Sequence, residues 1–162
     1  IDVFGVGTSL ATGQPDAALD GVYKLGEING KPKIKLSENI QKVTLPGIKQ
    51  VYRFTDEEGR FIADAIALAS DDIPNQMIHP YDPEKSMPLN TKLASPLLHK
   101  IMENGKSLLQ QYEPKDVAAF SQKRLQLLPE EHKRFNNPHI YKVGISESLH
   151  QLRSDLRREY KF

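Results

Sequence analysis

A chain of 162 residues has the length of one ordinary domain and buries enough surface on folding to build a core without covalent staples. It has no cysteine, which excludes disulfides and thiolate metal sites and fits a reducing cytoplasm. With 22 basic against 21 acidic side chains, the overall field neither draws in nucleic acid nor holds the chain on a membrane, and no apolar stretch approaches the roughly 20 residues that span a bilayer.

The opening residues, IDVFGVGTSLAT, are an apolar run that breaks into Gly-Val-Gly-Thr. The run reads as a strand buried on both faces, and the break as a phosphate-binding turn. Gly5 and Gly7 let the backbone turn tightly and approach a ligand, while backbone amides and the Thr8 hydroxyl point at anionic oxygens. The spacing is not that of a dinucleotide fold, because Leu10 stands where a third glycine belongs, nor of a Walker loop, because no Gly-Lys-Ser/Thr follows. The plain alternative is a glycine turn without a ligand, since short glycine pairs are common in loops. A chain that opens without Met on a central-strand pattern, with nothing before it to pair, is expected to be a fragment of a longer protein.

From residue 21 to about residue 68 the pattern is strand-like. Asn29-Gly30, between residues 22–28 and 31–36, is the strongest short-range hairpin signal, and Lys31, Lys33 and Lys35 alternate with Pro32, Ile34 and Leu36. A tight turn is expected at Thr44-Leu45-Pro46-Gly47, and a second hairpin pairs residues 49–55 with 60–66 across Asp56-Glu57-Glu58-Gly59. Residues 71–89, with Pro74, Pro80, Pro83 and Pro88, are expected to form an ordered loop. Asn104-Gly105 predicts a hairpin of residues 97–102 and 106–110, in preference to a short helix over 97–103.

Beyond Pro114 the period becomes helical, through Val117, Phe120, Leu125 and Leu128, with Pro129 as the stop. A last helix follows Ser146 as N-cap, its stripe formed by Leu149, Leu152, Leu156 and Tyr160, while Arg153, Arg157, Arg158 and Lys161 favour the C-terminal end of the dipole. The expected fold is α+β: antiparallel β-hairpins followed by C-terminal helices. No repeat or low-complexity tract interrupts it.

The local charge pattern has one notable bias. Between Asp20 and Thr55 stand Lys24, Lys31, Lys33, Lys35, Lys42, Lys49 and Arg53 against Asp20, Glu27 and Glu38. Such an excess could receive a polyanion, or it is simply the solvated face of a hairpin. His79, His99, His132, His139 and His150 include no pair at three- or four-residue spacing, so no local metal site is expected. Asp71, Asp72, Asp82 and Glu84 are explained by turns and solvation, and neither Ser9 nor Ser146 sits in a hydrolase motif.

Several of these stretches, in order, resemble one family. IDVFGVGTSLAT, GVYKLGEINGKPKIKLSENIQKVTLPGIKQVYRF, PLLHKIMENGK and NPHIYKVGISESLHQLRSDL are similar to the C-terminal third of nicotinate phosphoribosyltransferase, and together they cover nearly the whole chain. The resemblance implies that residues 1–20 are the last strand and phosphate loop of a phosphoribosyltransferase-type β/α barrel, with residues 21–162 a C-terminal α+β domain. Barrel enzymes often hold phosphate in the loops after their last strands. Gly5-Val6-Gly7-Thr8 matches the family's Gly-Val/Ile-Gly-Thr element, which implies that Thr8, then Gly7 and Gly5, bind phosphoribosyl pyrophosphate.

The resemblance further implies formation of nicotinate mononucleotide in NAD biosynthesis, ATP hydrolysis as the coupled reaction, and Mg²⁺ held chiefly by pyrophosphate oxygens. The family's Arg-x-Asp-Ser-Gly-Asp motif, nicotinate-gripping arginine and phosphorylated histidine are expected upstream, so the remainder of the same polypeptide is the implied partner and the chain alone is expected to be inert. Lys42, Lys49 and Arg53 lie in the family-like stretch and receive no catalytic role. The rival readings are a non-catalytic module docking RNA or a partner through the basic hairpin, and an assembly role in which the tail packs on a second copy to form a homodimer. RNA binding would want aromatics beside the lysines, and only Tyr23, Tyr52 and Phe54 are near.

Overall fold

Asn29 (φ 50°) and Gly30 (φ 71°) both take positive φ, the geometry of a two-residue turn whose twist matches that of the strands it joins. In the computed structural model, which describes residues 21–160, they connect β1 (Glu27–Ile28) to β2 (Lys31–Pro32). The hairpin is shorter than the alternation suggests: Lys33 adds one more bond in the same register, and by Lys35 the chain has turned to residue 44. The Lys33 amide bonds to Gly26 O (2.8 Å), and Lys35 exchanges bonds with Thr44 through its amide to Thr44 Oγ1 (2.8 Å) and its carbonyl from Thr44 N (3.3 Å). The expected turn at 44–47 forms, with Pro46 buried and Gly47 at φ 76°.

The second expected hairpin is the spine of the fold. β3 (Lys49–Thr55) and β4 (Phe61–Leu68) are antiparallel, Arg53 facing Asp64 and Tyr52 facing Ala65. Asp56 closes the turn between them, its carboxylate accepting from the amides of Glu58 (3.0 Å) and Arg60 (2.8 Å). Phe61, Ala63, Ala65 and Ala67 are all buried along β4, and so is Asp64 between them, because β4 is covered on both faces. The small alanines leave room for Phe54 and Met77, with Tyr52, Met87, Leu89 and Ala94 packed around them.

Residues 71–89 correct the sequence reading: instead of a loop they carry a hairpin, β5 (Gln76–His79) and β6 (Asp82–Pro88). The prolines sit where the ladder spares their missing N–H. Pro74 precedes β5, Pro80 lies in the turn, Pro88 ends β6, and Pro83 falls near a register irregularity in a strand at the sheet edge. A short strand β7 (Ala94–Pro96) adds to β3, and the second Asn-Gly pair joins β8 (Met102–Glu103) to β9 (Lys106–Ser107), a hairpin rather than a helix, as expected but shorter.

Helix α1 (Pro114–Gln126) begins on its proline, and its apolar stripe at Val117, Phe120 and Leu125 is exposed among the described residues. Pro129 both ends that region and caps the single turn α2 (Glu130–Lys133). The strand β10 (Lys142–Ile145) has no counterpart in the sequence reading; it runs parallel to β4 and antiparallel to β5, giving a six-stranded sheet in the order β6-β5-β10-β4-β3-β7. Ser146 then caps α3 (Glu147–Glu159), its hydroxyl accepting from Leu149 N (3.3 Å), and α3 packs on β4 and β5. The architecture is therefore α+β as expected, with one parallel pair among the antiparallel ones. No helix of the described residues is long and apolar enough to cross a membrane. The assignment of residues 1–20 to a barrel strand and loop lies outside the described residues.

Gly144 is the tightest point of the sheet: a Cβ there would meet the Met77 side chain at 2.7 to 2.8 Å. Gly144→Ala is expected to cost about 1 to 3 kcal/mol by overpacking, read as a lowered urea midpoint with an unchanged m-value; an unchanged midpoint would show that Met77 swings away freely.

Candidate functional site

The leading sequence candidates, Thr8, Gly7 and Gly5, lie outside the described residues. The basic residues that follow them are partly accounted for by the fold. Lys24, Lys31, Lys35 and Lys42 are exposed, and Lys33 is half-buried. Lys49 is drawn inward, its ammonium donating to Leu45 O (2.9 Å) and to Gly47 O, so that it staples the 44–47 turn to β3. Burial pushes its pKa below the ordinary lysine range, with Glu27 acting in the opposite sense.

Arg53 belongs to a structural cluster that joins three separate parts of the chain. Its Nε donates to Asp64 Oδ1 (2.9 Å) and its terminal nitrogen to Asp64 Oδ2 (2.7 Å), the two-pronged match of guanidinium and carboxylate. Tyr141, just ahead of β10, donates its phenol to the same Asp64 Oδ1 (3.0 Å). The Arg53 guanidinium lies 4.2 Å over the Phe61 ring, and Arg124 from α1 lies 4.5 Å from the same ring. Burial and the Asp64 carboxylate raise the Tyr141 phenol well above its usual range, and the hydrogen bond to Asp64 raises Arg53 as well. A carboxylate held by a guanidinium from β3 and a phenol from ahead of β10 is a joint between elements.

A cavity of about 700 Å³ opens where the β5–β6 hairpin, β10, residues 43–45 and α3 meet. Its walls include Val43, Leu45, Met77, Met87 and Ile145, and Arg153 of α3 contributes to it while being only 4% exposed. The sequence reading assigned Arg153 to the dipole at the helix end. The structure places it in the middle of α3 on the buried face one turn beyond Leu149, where a guanidinium terminal nitrogen donates to Pro80 O at 2.5 Å. The one available signal was its i+4 spacing from Leu149, masked because a cation in an apolar stripe reads as exposed. His132 and His139, distant in spacing, come together with ring centroids 6.1 Å apart, and the His132 ring nitrogen Nδ1 lies 2.7 Å from His139 O. Among the described residues no three His, Cys, Asp or Glu side chains gather as a cation site.

Comparison with known proteins places these residues. A family model described as the nicotinate phosphoribosyltransferase C-terminal domain matches residues 48–153, from the start of the β3–β4 hairpin to Arg153. A nicotinate phosphoribosyltransferase of Rattus norvegicus is 36% identical over 160 residues, covering 94% of this chain and 29% of its own length. The enzyme of that name from Bacillus subtilis is 36% identical over 176 residues, covering 98% of this chain and 36% of its own. A crystal structure of human nicotinic acid phosphoribosyltransferase superposes with a TM-score of 0.73 at 29% identity, over 86% of this chain and 27% of that one. The chain thus spans about a third or less of the length of these relatives.

Breaking the cluster at Asp64 leaves the half-buried Arg53 without its carboxylate. Asp64→Ala is expected to lower stability by about 2 to 4 kcal/mol, and Tyr141→Phe by about 1 kcal/mol, in urea unfolding. Because the folded state holds the Tyr141 proton more tightly than the unfolded chain, whose phenol titrates near 10, stability is full below that pH and falls as pH rises above it. The decline in urea midpoint between about pH 9 and 11 is expected to be shallower in Tyr141→Phe than in the unaltered chain; equal slopes would remove Tyr141 from the linkage.

Proposed function

Because this chain belongs to the nicotinate phosphoribosyltransferase family, through its C-terminal domain, we propose that it forms part of an enzyme joining nicotinate to phosphoribosyl pyrophosphate in NAD biosynthesis. The ring nitrogen of nicotinate bonds to the anomeric carbon of the sugar as the bond from that carbon to pyrophosphate breaks, and pyrophosphate leaves with the electron pair. ATP hydrolysis is the coupled reaction. The match over residues 48–153, two thirds of the chain, carries this reading.

Within this chain, the contribution to chemistry is positioning. Thr8, with the backbone around Gly7 and Gly5, anchors the 5′-phosphate of the sugar, fixing the anomeric carbon relative to the attacking nitrogen. The alignment with the Bacillus subtilis relative takes in 98% of this chain, and so includes the stretch in which these residues stand. Mg²⁺ suits the pyrophosphate, whose oxygens supply most of the coordination that a strongly hydrated ion accepts. The described residues offer no cluster of their own to hold it. The nicotinate grip and the phosphorylated group of the ATP reaction belong to the remainder of the polypeptide, so residues 1–162 alone are inert.

Thr8→Ala in the full-length polypeptide is expected to raise the KM for phosphoribosyl pyrophosphate about tenfold or more, the loss of one hydrogen bond to a charged oxygen. The KM for nicotinate stays within a factor of about two, since that grip lies elsewhere. Unchanged steady-state constants for both substrates would remove Thr8 from the site.

A further inference from the structure

We propose that the cavity between the β5–β6 hairpin, β10 and α3 is a binding site for an amphipathic monocarboxylic acid, with Arg153 as the counter-ion of its carboxylate. This goes beyond the transferase reading and does not depend on it. The volume, about 700 Å³, lies in the range of sites that enclose small molecules. The walls are largely apolar, and Arg153 is nearly fully buried.

What singles out the site is its charge. Every ionisable side chain among the described residues that line it is basic or neutral: His79 and Lys85 from the hairpin, Tyr81 in it, Tyr141 and Lys142 beside and on β10, and Arg153; no aspartate or glutamate is among them. Lys85 is matched at the rim by Asp82 (2.8 Å). Arg153 meets a neutral carbonyl, that of Pro80, and no carboxylate of the described residues lies within ion-pair distance of it. The next positive charge on its own helix, Arg157, adds repulsion rather than relief.

A buried guanidinium that spends itself on one carbonyl keeps a set of directed donors and an uncompensated charge, and the group that satisfies both is a carboxylate presented edge-on. One buried cation calls for one negative charge; a doubly charged phosphate would carry an excess into apolar walls. The remaining volume, lined by Met77, Met87, Val43 and Leu45, takes an apolar body. Two methionines suit such a role, because their flexible thioethers adapt to a guest.

The test is made on the full-length polypeptide with methionine methyl groups labelled with ¹³C, so that Met77 and Met87 report from the wall while Met102, in β8, lies outside it. The probes are 4-phenylbutyrate and its neutral analogue 4-phenylbutanamide. The acid is expected to shift Met77 and Met87 saturably, leave Met102 unmoved, and bind at least about tenfold tighter than the amide, as a charge-assisted pair implies. Arg153→Gln erases the difference between acid and amide. Lys85→Glu, on an exposed side chain and therefore safe for folding, weakens the acid several-fold and leaves the amide alone. Equal affinity of acid and amide in the unaltered protein would overturn the proposal and leave Arg153 as a clamp on the hairpin turn. Unmoved Met77 and Met87 signals at millimolar acid would overturn it too, the cavity then being closed by the rest of the polypeptide.

Discussion

Four residues hold the sheet together. Without β10, the strands β7, β3 and β4 form one antiparallel ladder and β5 with β6 another; β10 stands between β4 and β5 and makes them one surface. Everything around it follows from that insertion. Gly144 leaves space for Met77 to cross the seam, Ile145 and Leu149 are fully buried where the strand passes into α3, and Ser146 both bonds its amide to Ile66 O (2.8 Å) and caps the helix. The polar joint obeys the same logic: Tyr141, one residue ahead of the strand, reaches Asp64 only because β10 runs parallel to β4, with Lys142 beside Ala63.

Two arginines, Arg53 half-buried and Arg153 buried, then show how the fold deals with charge. Arg53 has its charge matched, by a two-pronged carboxylate that also accepts from the Tyr141 phenol and by an aromatic face. Among the described residues Arg153 has a single carbonyl, although it is the more deeply buried of the two. The contrast matters because desolvating a guanidinium is expensive in both places, and only one of them recovers the cost within the described residues. A domain that can build the first arrangement has no need of the second for stability, which is why the second points outward from folding to recognition.

What could be read from the sequence was what is decided locally. Asn29-Gly30 and Asn104-Gly105 need positive φ at neighbouring residues wherever they occur, Pro114 suits a helix start in any context, and Ser146 caps its helix with a side chain three residues from the amide it accepts. What escaped depends on partners far along the chain. Lys142-Val143-Gly144-Ile145 has too few residues to show a period and becomes a strand because β4 and β5 flank it. The prolines of residues 71–89 argue against a sheet until their positions, at a turn, at strand ends and on an edge, are known. Lys49 and Arg53 looked like an anion-binding excess because a count of charges cannot see the Leu45 carbonyl or the Asp64 carboxylate that take them up.

The same distinction separates the two candidate sites. The Gly-Val-Gly-Thr element could be proposed from the sequence because the phosphate turn it would form needs only a short run of backbone amides, each supplied by the next residue. The cavity beside Arg153 is invisible there, since it is assembled from residues 43–45, the β5–β6 hairpin, β10 and α3, none of which carries a motif. Residues 48–153, over which the family is recognised, run from β3 to Arg153 and hold the sheet, the polar joint and most of that cavity. The recognisable part of this domain is therefore its scaffold, and the Gly-Val-Gly-Thr element precedes the residues over which the family model matches.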